Sequence, residues 1–357
     1  MDMKFSEDEM RVRYVIPGAR GRIDLPVYEA PVTAGENMLR AIFDKAPVFM
    51  PNYRYFLGFN PRIFPDAEAR ASIRDGGEPK VHPEGFPDMF GITWVFVEVA
   101  GGSMVKPGAP LLSTMNEWKE KVVWPDIDSW DWEGQKALSR EFVADPELAV
   151  MPTIYTGYFE RMISMMDFEG AAMALIDEDQ QKAVHEFLDK LADLYCRMID
   201  KFVEHFSIRG ICVHDDWGSQ RSPFFSLETA RNMFVPHLRT VVDHAHAKGL
   251  FYDMHSCGHI ESIFPAIVEA GVDSWAGQEM NDKAAMYREY GKDILIGVET
   301  PDISEDMPRD EVRRVAKEYV DAYMVPGAPA MVGYSSKILN PCFFEDIYRF
   351  SRQKVNG

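Results

Sequence analysis

The sequence contains few cysteines and no long apolar run, and these two absences limit the kinds of protein that it can encode. Four cysteines in 357 residues are too few for a disulfide framework, which favours a reducing cytoplasm and a metal-binding or catalytic use of the thiols. No apolar run approaches the roughly 20 residues of a membrane-spanning helix. The N-terminal segment is charged and lacks the apolar core of a signal peptide. We therefore expect a cytoplasmic protein with no membrane partner.

Basic residues are also scarce. Lys and Arg total 38 against 57 Asp and Glu, which gives a formal net charge of −19. Because nucleic-acid binding requires clustered basic residues that neutralise phosphates, we expect no nucleic-acid partner. The same deficit disfavours a polyanionic substrate unless the chain builds a local basic pocket. A small-molecule substrate is the expectation that remains.

Apolar and aromatic residues are plentiful, at 46% and 12% of the chain, so most of its length is expected to fold. From about residue 150, short β-branched or aromatic runs alternate with helical stretches, as in βα units around a parallel sheet. Six such units, together with the runs 46–53 and 91–99, predict eight strands. The pattern favours an α/β fold, a (β/α)8 or TIM barrel, with an open doubly wound sheet as the alternative. We expect an N-terminal extension, residues 1–40, and a single barrel domain, residues 41–357.

Two helices are predicted in detail. Apolar residues recur every three or four positions from Val184 to Phe202, which predicts a long amphipathic helix with Asp177 as its N-cap. A second helix is expected to begin after Ser226 and to be kinked by Pro236. Both would cover a face of the predicted sheet.

Polar and ligand-type side chains gather where the predicted strands end. In a barrel these ends share one face, where active sites of the fold are built. The residues in question are Asn52, Tyr53, Tyr155, Thr156, Tyr158, His214, Asp215, Asp216, His255, Cys257, Gln278, Glu279, Glu299, Tyr334 and, beyond the last strand, Cys342.

Three of these residues, His255, Cys257 and Cys342, have the chemistry of a zinc site. Imidazole and thiolate ligands suit Zn²⁺, and three protein ligands with an open fourth position are typical of a catalytic site. A water, a substrate atom, or a carboxylate such as Glu279 or Glu299 would take the fourth position. The metal would hold the cysteines as thiolates at neutral pH.

Alternatives exist for several of these residues. Cys342 could pack against the phenylalanines that follow it, because free cysteine is often buried. His259 could replace Cys342 as a ligand, or cap the helix that follows. The pair Asp215 and Asp216 ends an apolar strand, which favours a functional role for at least one of them, while the other could cap nearby backbone groups.

With these residues identified, the sequence resembles the uroporphyrinogen decarboxylase superfamily, a (β/α)8 barrel family that includes cobamide-dependent methyltransferases. The resemblance runs from about residue 40 to the C-terminus. Its two most specific segments are HDDWGSQRSPFFSLETARNMFVPHLRTVVDHAHAKG (214–249) and HSCGHIESIFPAIVEAGVDSW (255–275). Three shorter segments match more loosely, namely PDMFGITW, YFERM and WPDID.

The resemblance is closer to the methyltransferases than to the decarboxylases. Decarboxylases carry an N-terminal arginine-rich motif that grips the porphyrinogen carboxylates, whereas the equivalent region here has Arg54 and Arg62 without that motif. The methyltransferase branch is similar in having a His-x-Cys pair and a distant Cys that bind zinc. His255 and Cys257 match that pair, and Cys342 matches the third ligand in order and approximate distance, although it lies in NPCFF where the branch has a glycine-bounded turn.

The resemblance implies a zinc-dependent methyltransferase that moves a methyl group between a small methylated substrate and the cobalt of a corrinoid. An aryl methyl ether is the favoured substrate. Because no part of the chain resembles a corrinoid-binding domain, the corrinoid is expected on a separate partner protein. Asp215, Asp216 and Glu279 are the predicted catalytic residues, which would orient substrate or relay protons.

The predicted substrate contacts are Tyr53, Tyr155, Trp217 and Gln278. Three alternative functions stay open, namely a uroporphyrinogen decarboxylase-like decarboxylase of tetrapyrrole biosynthesis, a methylcobamide:thiol methyltransferase, and a metal-free barrel that serves as a docking protein. The resemblance also allows a homodimer, because members of the superfamily can dimerise.

Overall fold

A computed structural model of the chain describes residues 4–19, 21–80, 82–108, 110–144 and 147–355. Its strands are β1 (Val12–Ile16), β2 (Leu25–Tyr28), β3 (Phe56–Phe59), β4 (Phe86–Pro87), β5 (Thr93–Val97), β6 (Gly102–Val105), β7 (Ala149–Ile154), β8 (Gly210–His214), β9 (Phe251–His255), β10 (Ser274–Trp275), β11 (Leu295–Val298), β12 (Met324–Val325), β13 (Ala328–Pro329) and β14 (Met331–Val332).

Its α-helices are α1 (Ala34–Leu39), α2 (Pro65–Ala69), α3 (Trp118–Lys121), α4 (Trp132–Ser139), α5 (Tyr158–Ala174), α6 (Glu178–His205), α7 (Leu227–Met233), α8 (Val235–Ala247), α9 (Phe264–Glu269), α10 (Lys283–Tyr290), α11 (Arg309–Tyr323) and α12 (Cys342–Val355). None of the helices described is long and apolar enough to cross a bilayer.

The chain forms two compact units. Unit 1 comprises Met1–Leu57, Pro146–Ala149 and Asp273–Gly357, and unit 2 comprises Gly58–Asp145 and Val150–Val272. The predicted division into an extension, 1–40, and one barrel domain, 41–357, stays a prediction, and residues 1–3, 20, 81, 109, 145, 146, 356 and 357 lie outside the described part of the chain.

Unit 2 contains parallel strands whose carboxyl ends carry several of the predicted site residues. Strand β8 pairs in parallel with β7 on one side and with β9 on the other. All four residues from Gly210 to Val213 are buried, as in a parallel strand covered on both faces. The last pair of the β8–β9 register joins His214 to His255.

The long helix predicted in unit 2 is confirmed as α6. Asp177 caps it by accepting a hydrogen bond from the Asp179 backbone N–H. Its buried face comprises the predicted positions Val184, Phe187, Leu188, Leu191, Leu194, Tyr195, Met198 and Phe202. The break predicted at Pro236 is confirmed as well, because α7 ends at Met233 and α8 begins with Pro236 in its first turn.

The run 91–99 was predicted to be a parallel strand, and this prediction is wrong. Its residues form β5, which pairs antiparallel with both β4 and β6 in a separate three-stranded sheet. Gly101 adopts a left-handed conformation (φ 65°) and returns the chain into β6. Of the five residues of β5, Trp94 alone is fully buried, whereas a barrel strand is covered on both faces.

Unit 1 contains the parallel strands β10, β11 and β14, with β11 in the middle. The predicted strand 46–53 is reduced to a single parallel bridge between Asn52 and Val332. Within the same unit, the β1–β2 hairpin lies beside the C-terminal helix α12, where Arg352 forms an ion pair with Glu9.

Candidate metal centre

Four potential metal ligands converge at the carboxyl ends of β8 and β9. The side chains of His214, Asp216, His255 and Cys257 each offer one donor atom, and these atoms all lie within 4.8 Å of one another. We call these four residues the metal-capable group. All belong to unit 2 and all are partly buried.

The backbone around the group is fixed by hydrogen bonds between the two strand ends. The Asp215 N–H donates to the His255 carbonyl at 2.9 Å, and the Cys257 N–H donates to Asp216 Oδ1 at 2.7 Å. Gly258 follows with φ +86°, and a side chain there would collide with the backbone of Gly218. The glycine therefore lets the loop after Cys257 close tightly over the loop after β8.

Three rings stack in sequence at the site. His214 and His255 lie with ring centroids 4.7 Å apart and planes 16° from parallel. The ring of Tyr155, at the end of β7, lies 6.0 Å from that of His214 at 22°. Asn60 donates a hydrogen bond to the Tyr155 hydroxyl at 3.1 Å. The predicted substrate residue Tyr155 thus lies beside the metal-capable group.

A buried carboxylate holds one of the histidines. Glu160, in the first turn of α5, contacts His214 Nδ1 through Oε2 at 2.6 Å, and its Oε1 accepts a hydrogen bond from Arg70 at 3.1 Å. Glu160 is 8% exposed. This contact places the proton of His214 on Nδ1 and leaves Nε2 facing Asp216, whose Oδ1 is 3.7 Å away.

The electrostatic environment separates the two histidines. Burial, reinforced by the nearby charge of His214, lowers the pKa of His255 to about 4, so its imidazole is neutral at neutral pH. For His214 burial acts in the same direction, but the carboxylates of Glu160 and Asp216 outweigh it and raise the pKa well above its usual value. A neutral imidazole is the form that binds metals, so His255 needs no deprotonation to act as a ligand.

The two acidic members of the group also have shifted pKa values. Burial raises the pKa of the Cys257 thiol. For Asp216, burial is outweighed mainly by the positive charge of His214, which lowers the pKa of the carboxyl. Asp216 is therefore ionised at neutral pH, whereas Cys257 needs a metal or a base to become a thiolate.

The donor set fits a zinc ion. Zn–N bonds of about 2.0 Å and Zn–S bonds of about 2.3 Å place tetrahedral donors roughly 3.5 Å apart. His255 Nε2 and Cys257 Sγ are 3.3 Å apart, and His214 Nε2 and Asp216 Oδ1 are 3.7 Å apart. One thiolate and one carboxylate would balance the charge of a divalent ion, which lowers the cost of burying it.

Asp215, a predicted catalytic residue, holds the start of α5 in the structure, and its catalytic role stays a prediction. Its carboxylate accepts hydrogen bonds from the backbone N–H groups of Tyr158, Phe159 and Glu160, at the start of α5, and from the Trp217 indole. A side chain at Gly157 would collide with Asp215 Cβ, so the glycine is what admits the carboxylate. Asp215 is 2% exposed and anchors the helix that carries Glu160.

Trp217, a predicted substrate contact, is fully buried. Besides the bond to Asp215, its backbone N–H donates to Ser256 Oγ at 3.0 Å. Its ring packs against Phe225 and Phe234. These contacts fix the side chain in the interior of unit 2, and its predicted role as a substrate contact stays a prediction.

The other predicted site residues belong to unit 1. Cys342 is the first residue of α12, and its backbone N–H donates to Asn340 Oδ1. It is not part of the metal-capable group formed by the described residues, and its role as a ligand stays a prediction. Glu279 is exposed, with its carboxylate 3.7 Å from Lys337.

Gln278 and Tyr53 complete that set. Gln278 is partly buried, and its backbone carbonyl accepts a hydrogen bond from the Asn281 side chain. The ring of Tyr53 packs against Phe56 and Tyr334. The roles of Glu279, Gln278 and Tyr53 stay predictions.

Of the site residues, Glu160 was not recognised in the sequence, and His214 was placed at a strand end without an assigned role. His214 ends a predicted strand directly before the acidic pair, and its position beside His255 follows from the strand register. Glu160 lies in the first turn of a helix after a strand, where acidic residues are common. The strand-end position of His214 was a usable signal, whereas Glu160 gave none.

One spacing in the sequence bears on the corrinoid. The sequence does contain the Asp-x-His-x-x-Gly spacing that corrinoid-binding domains use, at Asp253, His255 and Gly258. The expectation of a separate corrinoid protein therefore cannot rest on a lack of this spacing. Here Asp253 is buried inside β9, paired in register with Cys212, and His255 belongs to the metal-capable group. In this fold the spacing forms part of a sheet strand and of the metal-capable group.

Comparisons with known proteins agree with this architecture. The family model described as Uroporphyrinogen decarboxylase (URO-D) matches residues 151–330. A solved structure of a methyltransferase from Methanosarcina mazei matches with a TM-score of 0.57 and 14% sequence identity, covering 91% of this chain and 100% of that one. No curated protein matches the chain.

A sugar phosphate isomerase/epimerase from Parabacteroides distasonis also matches, with a TM-score of 0.28, 10% identity, and coverage of 64% of this chain and 78% of that one. The low TM-score gives this second match no weight. The family match and the first structural match confirm the predicted fold class, a barrel of the uroporphyrinogen decarboxylase type.

Proposed function

This chain belongs to the uroporphyrinogen decarboxylase family, and we propose that it is a zinc-dependent methyltransferase. It would transfer a methyl group between a small methylated substrate, of which an aryl methyl ether is the favoured class, and the cobalt of a corrinoid carried on a separate protein. The reducing cytoplasm, which keeps cysteine thiols reduced, is the proposed location.

The metal-capable group is the observation that carries this proposal. Its His, Asp, His and Cys donors lie within 4.8 Å of one another at the carboxyl ends of two neighbouring strands, where barrel enzymes build their active sites. His255 and Cys257 are the ligands predicted from the sequence, and His214 and Asp216 supply the further donors. The match to the Methanosarcina mazei methyltransferase, at 14% identity, supports the fold, and the donor set supports the chemistry.

A zinc ion held by this group would act as a Lewis acid toward the oxygen that loses the methyl group, or would lower the pKa of an accepting thiol. The contribution of the protein is to prepare the site. Glu160 fixes the orientation of His214 through Nδ1, and Tyr155 packs against the outer face of the same ring. Asp216 remains ionised, and its carboxylate accepts a hydrogen bond from the Cys257 backbone N–H, which fixes the position of Cys257.

Arginine pairing in unit 2 favours this reaction over decarboxylation of a substrate with many carboxylates. Arg161 is fully buried and forms ion pairs with Asp66 and Asp88. Arg70 is held by Glu160, and Arg62 is held by Asp75. These guanidinium groups are engaged within the protein and would have to break buried ion pairs to bind substrate carboxylates.

The proposal is tested by an assay of methyl transfer. Zinc-loaded protein is mixed with 2-methoxyphenol and cob(I)alamin, and the conversion of cob(I)alamin to methylcobalamin is followed by absorbance. The ether oxygen leaves as the phenol after taking up one proton, and the two cobalt electrons form the new Co–CH₃ bond. We expect activity in the wild type and in Cys196→Ala, and loss of activity in Cys257→Ala.

Cys196 is a suitable control because it lies on α6, outside the metal-capable group. Transfer to a thiol from methylcobalamin, without ether cleavage, would select the thiol methyltransferase alternative. Release of CO₂ from uroporphyrinogen with no methyl transfer would contradict the proposal and support the alternative hypothesis of a decarboxylase.

A further inference from the structure

A polar pocket lies in unit 1, at the carboxyl end of β14. It is open to solvent, has a volume of about 290 Å³ with its open part included, and is lined by Arg22, Asn52, Arg54, Tyr334 and Ser336 together with apolar side chains. Neither the proposed methyl transfer nor the family match assigns a role to it. Its lining is rich in hydrogen-bond donors, which indicates an anionic ligand.

Arg22 provides the positive charge. Its guanidinium lies over the Tyr334 ring, 5.7 Å from the centroid, and no carboxylate among the described residues forms an ion pair with it. In a chain with a net charge of −19, a partly buried arginine without an acidic partner is unusual. Packing against the Tyr334 ring orients the planar guanidinium and leaves its N–H groups available.

Arg54 has a different task. Its guanidinium donates hydrogen bonds to the carbonyl groups of Ile16, Pro17 and Ile23, at 2.7–3.1 Å. These carbonyls flank the loop that carries Arg22, so Arg54 holds that loop in place. Burial and the neighbouring charge of Arg22 both lower the pKa of Arg54, which shows that the two cations are close enough to repel. An anion between them would relieve that repulsion.

Two neutral donors complete the pocket. Asn52 Oδ1 accepts the Arg54 backbone N–H, and Asn52 Nδ2 has no hydrogen-bond partner in the described part of the chain. Ser336 Oγ accepts the Thr300 backbone N–H, which leaves its hydroxyl hydrogen free to donate. Asp24, the acidic residue whose charge acts on Arg54, is exposed and accepts a hydrogen bond from Gly18.

We propose that Arg22, Asn52 and Ser336 form a binding site for the carboxylate of a small molecule. A carboxylate carries one negative charge and has two oxygens that match the fork of a guanidinium. One available guanidinium balances one charge, which suits a carboxylate monoanion better than a phosphate dianion. The ring of Tyr334, which lines the pocket, favours an aromatic carboxylate.

The test is calorimetric titration of the full-length protein with benzoate, its neutral analogue benzamide, and inorganic phosphate. We expect benzoate to bind at least about tenfold more tightly than benzamide, because a hydrogen bond to a charged partner contributes about that much. Phosphate is expected to bind more weakly than benzoate, because one available guanidinium balances one negative charge and phosphate has no ring to pack against Tyr334. Arg22→Gln is expected to weaken benzoate binding about tenfold or more, and Arg22→Lys to weaken it less. Arg11→Gln, which removes the same charge from an exposed position directly before β1, is expected to bind benzoate like the wild type.

Equal binding of benzoate and benzamide, tighter binding of phosphate, or unchanged benzoate binding in Arg22→Gln would each overturn the proposal, as would a wild type that binds no benzoate. Unfolding midpoints of the variants show whether they fold, and Arg22→Lys keeps the test informative if Arg22→Gln does not. Because the pocket residues and the metal-capable group belong to different units, the titration is repeated on chelator-treated protein. Benzoate binding there separates this proposal from the proposed zinc chemistry.

Discussion

His214 and His255 occupy paired positions at the last register of β8 and β9, and their imidazole rings stack with centroids 4.7 Å apart. Two cationic imidazoles would repel at that distance, and the pKa values of the two residues differ accordingly. Nearby carboxylates raise the pKa of His214, whereas burial and the charge of His214 lower the pKa of His255. The pair is therefore made of one histidine that is neutral at neutral pH and one that is protonated until a metal displaces the proton.

Replacement of Glu160 by glutamine is expected to weaken zinc binding by about 10–100-fold. Glu160 orients His214 through Nδ1, and loss of such a partner carboxylate typically costs that much in metal affinity. The measurement is competition for zinc with a chromophoric chelator. Glu169→Gln, on an exposed position of the same helix, is the matched control. Equal affinities in the two variants would show that Glu160 does not support a ligand.

Zinc binding at pH 7 is expected to release about two protons. One would come from His214, whose pKa is raised, and one from Cys257, whose pKa is also raised, while His255 is already neutral. Because zinc competes with these protons, its affinity is expected to rise with pH between about 6 and 8. Calorimetry in buffers of different ionisation enthalpy measures the number released. His214→Ala is expected to release about one proton, and an unchanged count in that variant would exclude His214 as a ligand.

Replacement of Asp215 by alanine is expected to lower the free energy of unfolding by about 2–4 kcal/mol. The change leaves three backbone N–H groups at the start of α5 and the Trp217 indole without their acceptor, and unsatisfied buried donors of this kind cost about 1–3 kcal/mol each before relaxation. Urea denaturation checks this, with the exposed Asp243→Ala as the control. A variant with wild-type stability and no activity would contradict the structural role and would support the catalytic role predicted for Asp215.

The Cys342→Ala variant decides between the ligand set predicted from the sequence and the group found in the structure. The metal-capable group includes His214 and Asp216 and does not include Cys342, so the variant is expected to retain close to the wild-type zinc content. Zinc content by elemental analysis measures this. Loss of zinc from the Cys342→Ala variant would establish Cys342 as the third zinc ligand. In that case His214 or Asp216 would not be a zinc ligand.

The sequence predicted those features that arise from local patterns. Helix α6 follows from the spacing of its apolar residues, and the break between α7 and α8 follows from Pro236. The strand 91–99 was misassigned because an apolar run gives no information on whether its partner strands are parallel or antiparallel. The exposure of β5 on both faces depends on the tertiary fold.

The site was predicted only in part, for a similar reason. His255 and Cys257 are two residues apart, and their shared chemistry is visible in the sequence. Asp216 and Cys257 are 41 residues apart, and His214 becomes a neighbour of His255 only through the register of two strands. Glu160 reaches His214 from a helix 54 residues earlier in the chain. Contacts of this kind are set by the packing of strands and helices and leave no local pattern.

The central claim is that the metal-capable group binds zinc, and elemental analysis of protein purified without chelators under reducing conditions tests it most directly. We predict close to one zinc per chain in the wild type and in Cys196→Ala, and little or none in Cys257→Ala. A wild type that binds no zinc even after loading, or a Cys257→Ala variant with the full wild-type content, would contradict the claim and the methyl-transfer mechanism that rests on it.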